Sequence, residues 1–389
     1  EAIRIRDGKA RITNEKCIDC GACISVCPYH AKKAYSDSID AINKYKYKVA
    51  ILPLSIYGQF PLQYDMQKVM SCFKHLGFDM VIDNSLAVEV LIEDIEQKLK
   101  NNEVKKPAIS TLCPAVIRLI QSRFPTLLEN VIPVESPMEI SARIVTNELL
   151  RKGFDKKDIG LFYITQCPAK ITSIFKPLGL KESYINGAIS FESIYTKILK
   201  IYSTLKDDEI DRNIMMGGGR GISWARAGGQ GHSLDLSKYL AVDGIENVIK
   251  VLEDIELGKL KNIEFFEGYA CATGCVGGPL NVVNPYIAKY NILQRVKEKK
   301  ENTIDKEKIN RIIKEIGVNL TEKIHPVKNI ELDKDIIKAM KKLELIESIN
   351  RELPGKDCGS CGAPNCLAMA EDIVKGNATK EDCIYINKK

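Results

Sequence analysis

Between residues 46 and 300, apolar positions gather into short runs, each closed by a turn residue or a cysteine, with helix-period stretches between them. Val49–Leu52 ends at Pro53. Ala108–Thr111 leads into Cys113, Ile159–Thr165 into Cys167, and Ile263–Phe266 into Cys271 and Cys275. Runs this short, rich in aromatic and β-branched residues, predict buried parallel strands. Glu139–Gly153 carries the helical spacing expected between such strands. The alternation predicts an α/β fold with a mostly parallel sheet. Ligands of such folds lie beyond the carboxyl ends of the strands, so cysteines distant in sequence are expected to meet at one sheet edge.

The flanks read differently. Residues 1–45 have the character of a small ferredoxin-like module, 46–300 form the large α/β region, and 301–350 are rich in Lys, Glu and Ile and read as a helical linker. Within that linker, Ile309, Ile312, Ile313 and Ile316 share one helix face and Gly317 can close the end. Leu353-Pro354-Gly355 then punctuates the chain ahead of a small module over 351–389.

Composition narrows the classes. The chain is 45% hydrophobic and carries 57 basic against 51 acidic side chains, a net charge of +6. No run of 18 apolar residues suggests a membrane span. No secretory signal opens the sequence, which starts at Glu1. Thirteen cysteines in that setting predict a reducing cytoplasm and metal thiolates rather than disulfides. The basic run Arg295–Lys300 reads as a solvated face, or more sharply as a docking surface for an acidic electron carrier. No basic–aromatic interleaving points to nucleic acid.

Twelve of the 13 cysteines form three groups of four, leaving Cys72, which reads with His75 as packing. Cys17, Cys20, Cys23 and Cys27, followed by Pro28, have the spacing of a cubane motif whose fourth cysteine serves a second cluster. Only one such motif is present, and Glu1–Thr13 is similar to the link between the two motifs of a bacterial ferredoxin. The expectation is therefore of a longer protein with another four-cysteine run upstream; the alternative is one cluster held by all four local thiols. Cys358, Cys361, Cys366 and Cys383 have asymmetric spacing that favours 4Fe–4S over zinc.

The third group sits in Thr111-Leu112-Cys113-Pro114, Gln166-Cys167-Pro168-Ala169-Lys170 and Glu267-Gly-Tyr-Ala-Cys271-Ala-Thr-Gly-Cys275-Val-Gly-Gly. In order and context these resemble the three signatures of FeFe hydrogenases, TSCCP, MPCxxK and ExMACxxGCxxGG. The resemblance covers residues 1 to about 295 and implies a two-lobed hydrogenase domain with parallel sheets flanked by helices, between a ferredoxin-like module and a small helical C-terminal iron–sulfur module. It implies an H-cluster, a 4Fe–4S cubane joined to a two-iron subcluster with CO, cyanide and a dithiolate bridge. By position, Cys113, Cys167 and Cys271 would hold the cubane and Cys275 would also bridge to the diiron unit. Lys170 would pair with a cyanide, and Trp224 falls near a position that holds a phenylalanine over the diiron site.

The departures from the family pattern carry as much information. The family's proton-relaying thiol is Leu112 here, its methionine before the last cysteine pair is Tyr269, and a family glutamate falls on Ser173. Loss of an acid–base group predicts slow turnover. Candidate replacement relays are Tyr269, Glu267 and Ser136, although each has a structural reading: packing, backbone orientation and helix capping. The substitutions, with the C-terminal cysteine module, resemble the branch regarded as sensory. H2, a ferredoxin-like electron carrier or a signalling partner are the implied partners, and a homodimer is compatible. The competing reading is a non-catalytic iron–sulfur assembly or carrier protein. The glycine runs Gly217–Gly221 and Gly228–Gly231 lack the ending of a phosphate loop and read as tight turns or close backbone approach.

Overall fold

The computed structural model describes residues 2–214, 216, 218–298, 305–327 and 332–386. Two compact units emerge: 1–18 together with 326–389, and 19–325.

The smaller unit opens with an antiparallel hairpin, β1 (Ile3–Arg6) and β2 (Lys9–Ile12), in which Ile3 faces Ile12. Its two turn residues, Asp7 and Gly8, both have positive φ, matching a tight primed turn. Ile5 N–H donates to the carbonyl of Gly362 at 2.7 Å, which ties the hairpin to the C-terminal cysteine segment. Helix Ile336–Glu352 starts at Asp335, whose carboxylate accepts from the N–H groups of Ile337 and Lys338. Its buried Ile346 and Ile349 pack in one core with Ala363, Ala368 and Met369, the last two on helix Cys366–Val374.

The larger unit holds two all-parallel sheets. The first has the order β4 (Met80–Asp83), β3 (Tyr47–Leu52), β6 (Ile159–Thr165), β7 (Gly187–Ser190). The second has the order β5 (Ala108–Ile109), β9 (Phe265–Tyr269), β8 (Tyr239–Asp243). Val49–Leu52 and the whole of β6 are buried, as strands with helices on both faces must be. The expected single sheet edge is thus two edges, because the apolar runs before Cys113 and Cys271 pair with each other and not with β3. Two boundaries also move. β5 stops at Ile109, where Ser110 turns its side chain into a polar network. β9 begins only at Phe265 and runs through Glu267 to Tyr269.

The lysine- and isoleucine-rich stretch is divided between the units. Helix Lys306–Ile316, capped by Asp305 and ended by Gly317 at φ +63°, buries Ile309, Ile312 and Ile316 in the core of the larger unit. Helix Ile336–Glu352 belongs to the smaller one. Arg295 corrects the reading of a solvated basic run: it is buried, and its guanidinium donates to the carbonyls of Phe60, Pro61 and Tyr64, groups that helix Pro285–Glu298 covers and that need a donor. Lys299 and Lys300 lie outside the described residues, as does Gly217 of the first glycine run. Among the described residues no helix is long and apolar enough to cross a membrane.

Candidate functional site

Cys113 and Cys167 occupy equivalent local positions. Each follows a parallel strand, sits at the N-cap of a helix (Pro114–Arg123 and Pro168–Phe175), and is followed by a proline whose fixed φ starts that helix. Cys271 follows β9, and Cys275 opens a single 3-10 turn, Cys275–Gly277. Between them Gly274 takes φ +95°, and a Cβ there would lie 2.6 Å from the backbone nitrogen of Ala227. Only glycine lets the two cysteines fold back so closely against that strand-free segment. Ala227 N–H donates to Thr273 O and Val276 N–H to Ala225 O, so the loop is pinned directly after Trp224.

The four thiols lie near enough to burden one another electrostatically. Burial pushes Cys113 up to about 12, and the neighbouring Cys167 and Cys275 add to it. Burial, then Cys167, Cys113 and Cys275, raises Cys271 well above a free thiol. Such a group resists ionising by itself, and bound metal is what offsets the cost of buried thiolates. Lys170, 6% exposed, brings its Nζ to 3.8 Å from Cys275 Sγ and about 6.0 Å from the centre of the Tyr163 ring. Burial opposes its charge, but the surrounding thiols, Cys275 foremost, hold the ammonium protonated above its ordinary range.

Further polar atoms around the thiols are buried and unspent: Gln166 Oε1, Trp224 Nε1, Arg226 Nε and Glu267 Oε1 have no hydrogen-bond partner. Orphaned groups of this kind call for an explanation. Thiols within electrostatic reach of one another, one buried cation and unsatisfied polar atoms nearby fit an iron–sulfur cofactor.

Glu267 and Tyr269, two of the three candidate relays, are drawn together at the base of the site. The Tyr269 hydroxyl lies 3.5 Å from Glu267 Oε2 and accepts from Gln230 Nε2 at 2.8 Å. Gln230 N–H donates to Glu267 Oε2 at 2.9 Å, and Ser110 Oγ donates to Gln230 Oε1 at 2.6 Å. Ser110 Oγ in turn accepts the N–H of Leu112, the residue that replaces the relay thiol. Burial pushes Glu267 up to about 7 and raises Tyr269 as well. Sequence reasoning missed Ser110 and Gln230. Gln230 sat inside a discounted glycine run; the signal was the pair of small residues around it, since a Cβ on Gly229 would meet Ser223 O at 1.8 Å.

Ser136 lies elsewhere. It holds the N-cap position of helix Pro137–Arg151 yet makes no capping bond, and its buried Oγ has no partner. Ser173 is spent locally: its hydroxyl donates to Ala169 O and accepts from Arg118. Trp224 is buried in the main core beside the cysteine loop.

In the smaller unit, Cys358, Cys361, Cys366 and Cys383 all line one cavity of about 20 Å³. Asp357 accepts the N–H of Cys366 at 2.7 Å, and Asn365 caps the helix that Cys366 begins. In the first motif the boundary between units falls after Ile18. Within the larger unit, burial raises Cys20, which contributes to the field on Cys271, and Gly21 packs on Pro279 and Pro168. Cys27, half-buried, is lowered by backbone N–H groups, that of Ala31 first.

Comparison with known proteins gives these arrangements a context. The model of the iron only hydrogenase large subunit, C-terminal domain, matches residues 48–233 and 195–279. A 4Fe-4S binding domain matches residues 10–33 and an Fe-S cluster domain matches 353–385. Iron hydrogenase 1 from Clostridium pasteurianum is 25% identical over 206 residues, covering 50% of this chain and 35% of that protein. The NADP-reducing hydrogenase subunit HndD from Solidesulfovibrio fructosivorans is 22% identical over 329 residues, 67% of this chain and 55% of that one. The chain thus spans about a third to just over half the length of these curated relatives. Over 39 residues it is 44% identical to the large subunit of the corrinoid/iron-sulfur protein from Moorella thermoacetica, 10% of this chain and 9% of that one. A variant of the FeFe-hydrogenase HydA1 from Chlamydomonas reinhardtii shares the fold at a TM-score of 0.52 and 14% identity, over 72% of this chain and 95% of that one. The apo form of another variant gives 0.52 and 14%, over 75% and 94%.

Proposed function

Since the chain belongs to the iron-only hydrogenase family, which matches more than half of it, and carries iron–sulfur modules on either side, we propose that it cleaves H2 reversibly, slowly, as a reporter of H2 or redox state. The observation that carries this reading is the buried Lys170 ammonium 3.8 Å from Cys275 Sγ and within the field of Cys167 and Cys113. A buried cation needs an anionic partner; cubane thiolates would supply negative charge, and a cyanide would add an acceptor within reach of the ammonium.

In this reading Cys113, Cys167 and Cys271 would hold the cubane, and Cys275 would serve both the cubane and the diiron unit. That unit, when bound, supplies the H2-splitting metal centre and a basic amine. Lys170 anchors a cyanide through a charge-assisted contact, strengthened by the dry surroundings. Trp224 Nε1 is a nearby unspent donor that would help to orient it. Leu112 brings no proton to the site, so the step that a thiol would serve is slowed. Ser110, Gln230, Tyr269 and Glu267 form a fixed polar floor beneath it. The cubane and the flanking clusters would supply the path for electrons, toward a ferredoxin-like carrier or a signalling partner.

Infrared spectroscopy tests this directly. After supply of the synthetic diiron cofactor, sharp CO and cyanide bands that shift reversibly under H2 are expected. An intact cubane with no such bands would overturn the reading in favour of an iron–sulfur carrier.

A further inference from the structure

Cleavage of one H2 releases two protons and two electrons. The electrons have the clusters as their way out; the protons need groups that lead to solvent. Against the helices that Cys113 and Cys167 start lies a half-open cavity of about 40 Å³. One wall is the first turn of the helix capped by Cys113, through Pro114 and Ile117, with Thr111 just before it. Another wall is Ser173, on the helix capped by Cys167. The cavity therefore touches the structural supports of two of the four cysteines. Its size allows about two or three waters.

Two groups facing this cavity are unusual. Ser136 Oγ is buried and has no partner although its residue stands at a helix N-cap, where a hydroxyl ordinarily bonds the backbone. Glu139, one turn on, is 3% exposed and points its carboxylate away from its own helix: Oε1 accepts from Ser183 Oγ at 2.6 Å and Oε2 from Tyr184 N–H at 2.9 Å. Ser183 and Tyr184 line a second depression of about 420 Å³ open to the surface, and Leu180 borders both spaces. Burial holds the Glu139 carboxyl above its ordinary range, which suits a group that takes up and passes on a proton.

We infer that Ser136, cavity water, Glu139 and Ser183 form the exit by which protons from H2 reach solvent in this chain. The inference rests on the hydrogenase reading and supplies what Leu112 removes. Protons move along the route by hydroxyl and carboxyl exchange, with no change in oxidation state, and both electrons pass to the iron–sulfur clusters. Glu139 and Ser183 touch no cluster ligand; they act at a distance as carriers.

The test begins on the protein with its iron–sulfur clusters but without the diiron unit. Infrared difference spectra between pH 8 and 5 are expected to show a protonated-carboxyl band that is lost in Glu139→Gln and that shifts within mixing time in D2O. A band that is missing, or that exchanges only over hours, would mean a sealed carboxylate and overturn the route. With the diiron unit supplied, Glu139→Gln and Ser183→Ala are each expected to slow H2-dependent dye reduction about tenfold and to enlarge the solvent isotope effect, leaving the CO and cyanide bands unchanged. Wild-type bands that respond to H2, with both variants at wild-type rate, would sink the route and spare the hydrogenase reading. Absence of the bands in the wild type would sink the hydrogenase reading, and the route with it as a path for H2 protons.

Discussion

Lys170 and Cys275 are 105 residues apart in sequence, yet the ammonium and thiol meet at 3.8 Å in a site that leaves the lysine 6% exposed. The lysine is carried on the third residue of a helix that Cys167 starts, and Cys275 on the turn after β9, so the contact joins the two sheets. Lys170→Met keeps the length and apolar stem and removes the charge. A charged hydrogen bond in a buried site is worth about 1.5–3 kcal/mol. Retention of the diiron unit is therefore expected to fall roughly ten- to hundredfold, read from infrared band intensity per chain, while iron in the cubane stays constant. Equal retention in the variant would remove Lys170 from the site.

Leu112 lies directly before Cys113 and is buried, with its N–H on Ser110 Oγ. Leu112→Cys restores a titratable group of smaller volume at that point. Positioned acid–base groups contribute about 10²–10⁴-fold, and turnover with H2 is expected to rise by at least about tenfold. A rate that does not move would place the limitation elsewhere, in electron exit or in the route through Glu139.

The cysteine positions and the strands β3 and β6 were legible from the sequence because each depends on local pattern: a closed apolar run, a Cys-Pro helix start, a glycine beside a ligand. β4, β7 and β8 were not, since runs as short as Met80–Asp83 and Gly187–Ser190 acquire strand geometry only from the partner beside them. The same holds for the polar floor. Nothing local marks Ser110, and only the flanking glycines mark Gln230; they become a pair through a 2.6 Å bond across 120 residues. Ser136 was found as a residue with spare chemistry, but its cavity and the outward turn of Glu139 exist only in three dimensions.

Asp372 is the electrostatic centre of the smaller unit. Its Oδ2 accepts from Arg4 Nε at 2.6 Å and Arg6 at 2.7 Å, and its side chain is 9% exposed. Both arginines lie on β1, while Asp372 lies on the helix that carries Cys366, so this contact fastens the hairpin to the cluster module. Asp372→Asn removes the carboxylate that two guanidinium groups share, leaving Arg4 with Glu371 at 3.9 Å and Arg6 with the carbonyl of Cys361. Breaking such a pair costs about 3–5 kcal/mol when fully buried; with Arg6 partly exposed, about 1–3 kcal/mol is expected. Denaturant unfolding followed through the absorbance of the C-terminal cluster would show it, and a wild-type midpoint would contradict it.

Glu267 gives the pH dependence a definite sign. Burial raises its carboxyl from 4.5 to about 7 in the folded chain. Between those values the unfolded chain has released the proton and the folded chain still holds it, so stability falls as pH rises through this window. Below pH 4.5 the group is protonated in both states and costs nothing; above about 7 the penalty is complete. A displacement of this size corresponds to at most about 3 kcal/mol. Glu267→Gln keeps the shape and removes the titration. Relative to wild type the variant is expected to gain stability between pH 5 and 7.5, measured by denaturant midpoints on the protein without metal. A difference that stays flat across that range would mean that Glu267 is already ionised in the folded chain, held by Arg226 and the N–H of Gln230 more firmly than burial opposes it.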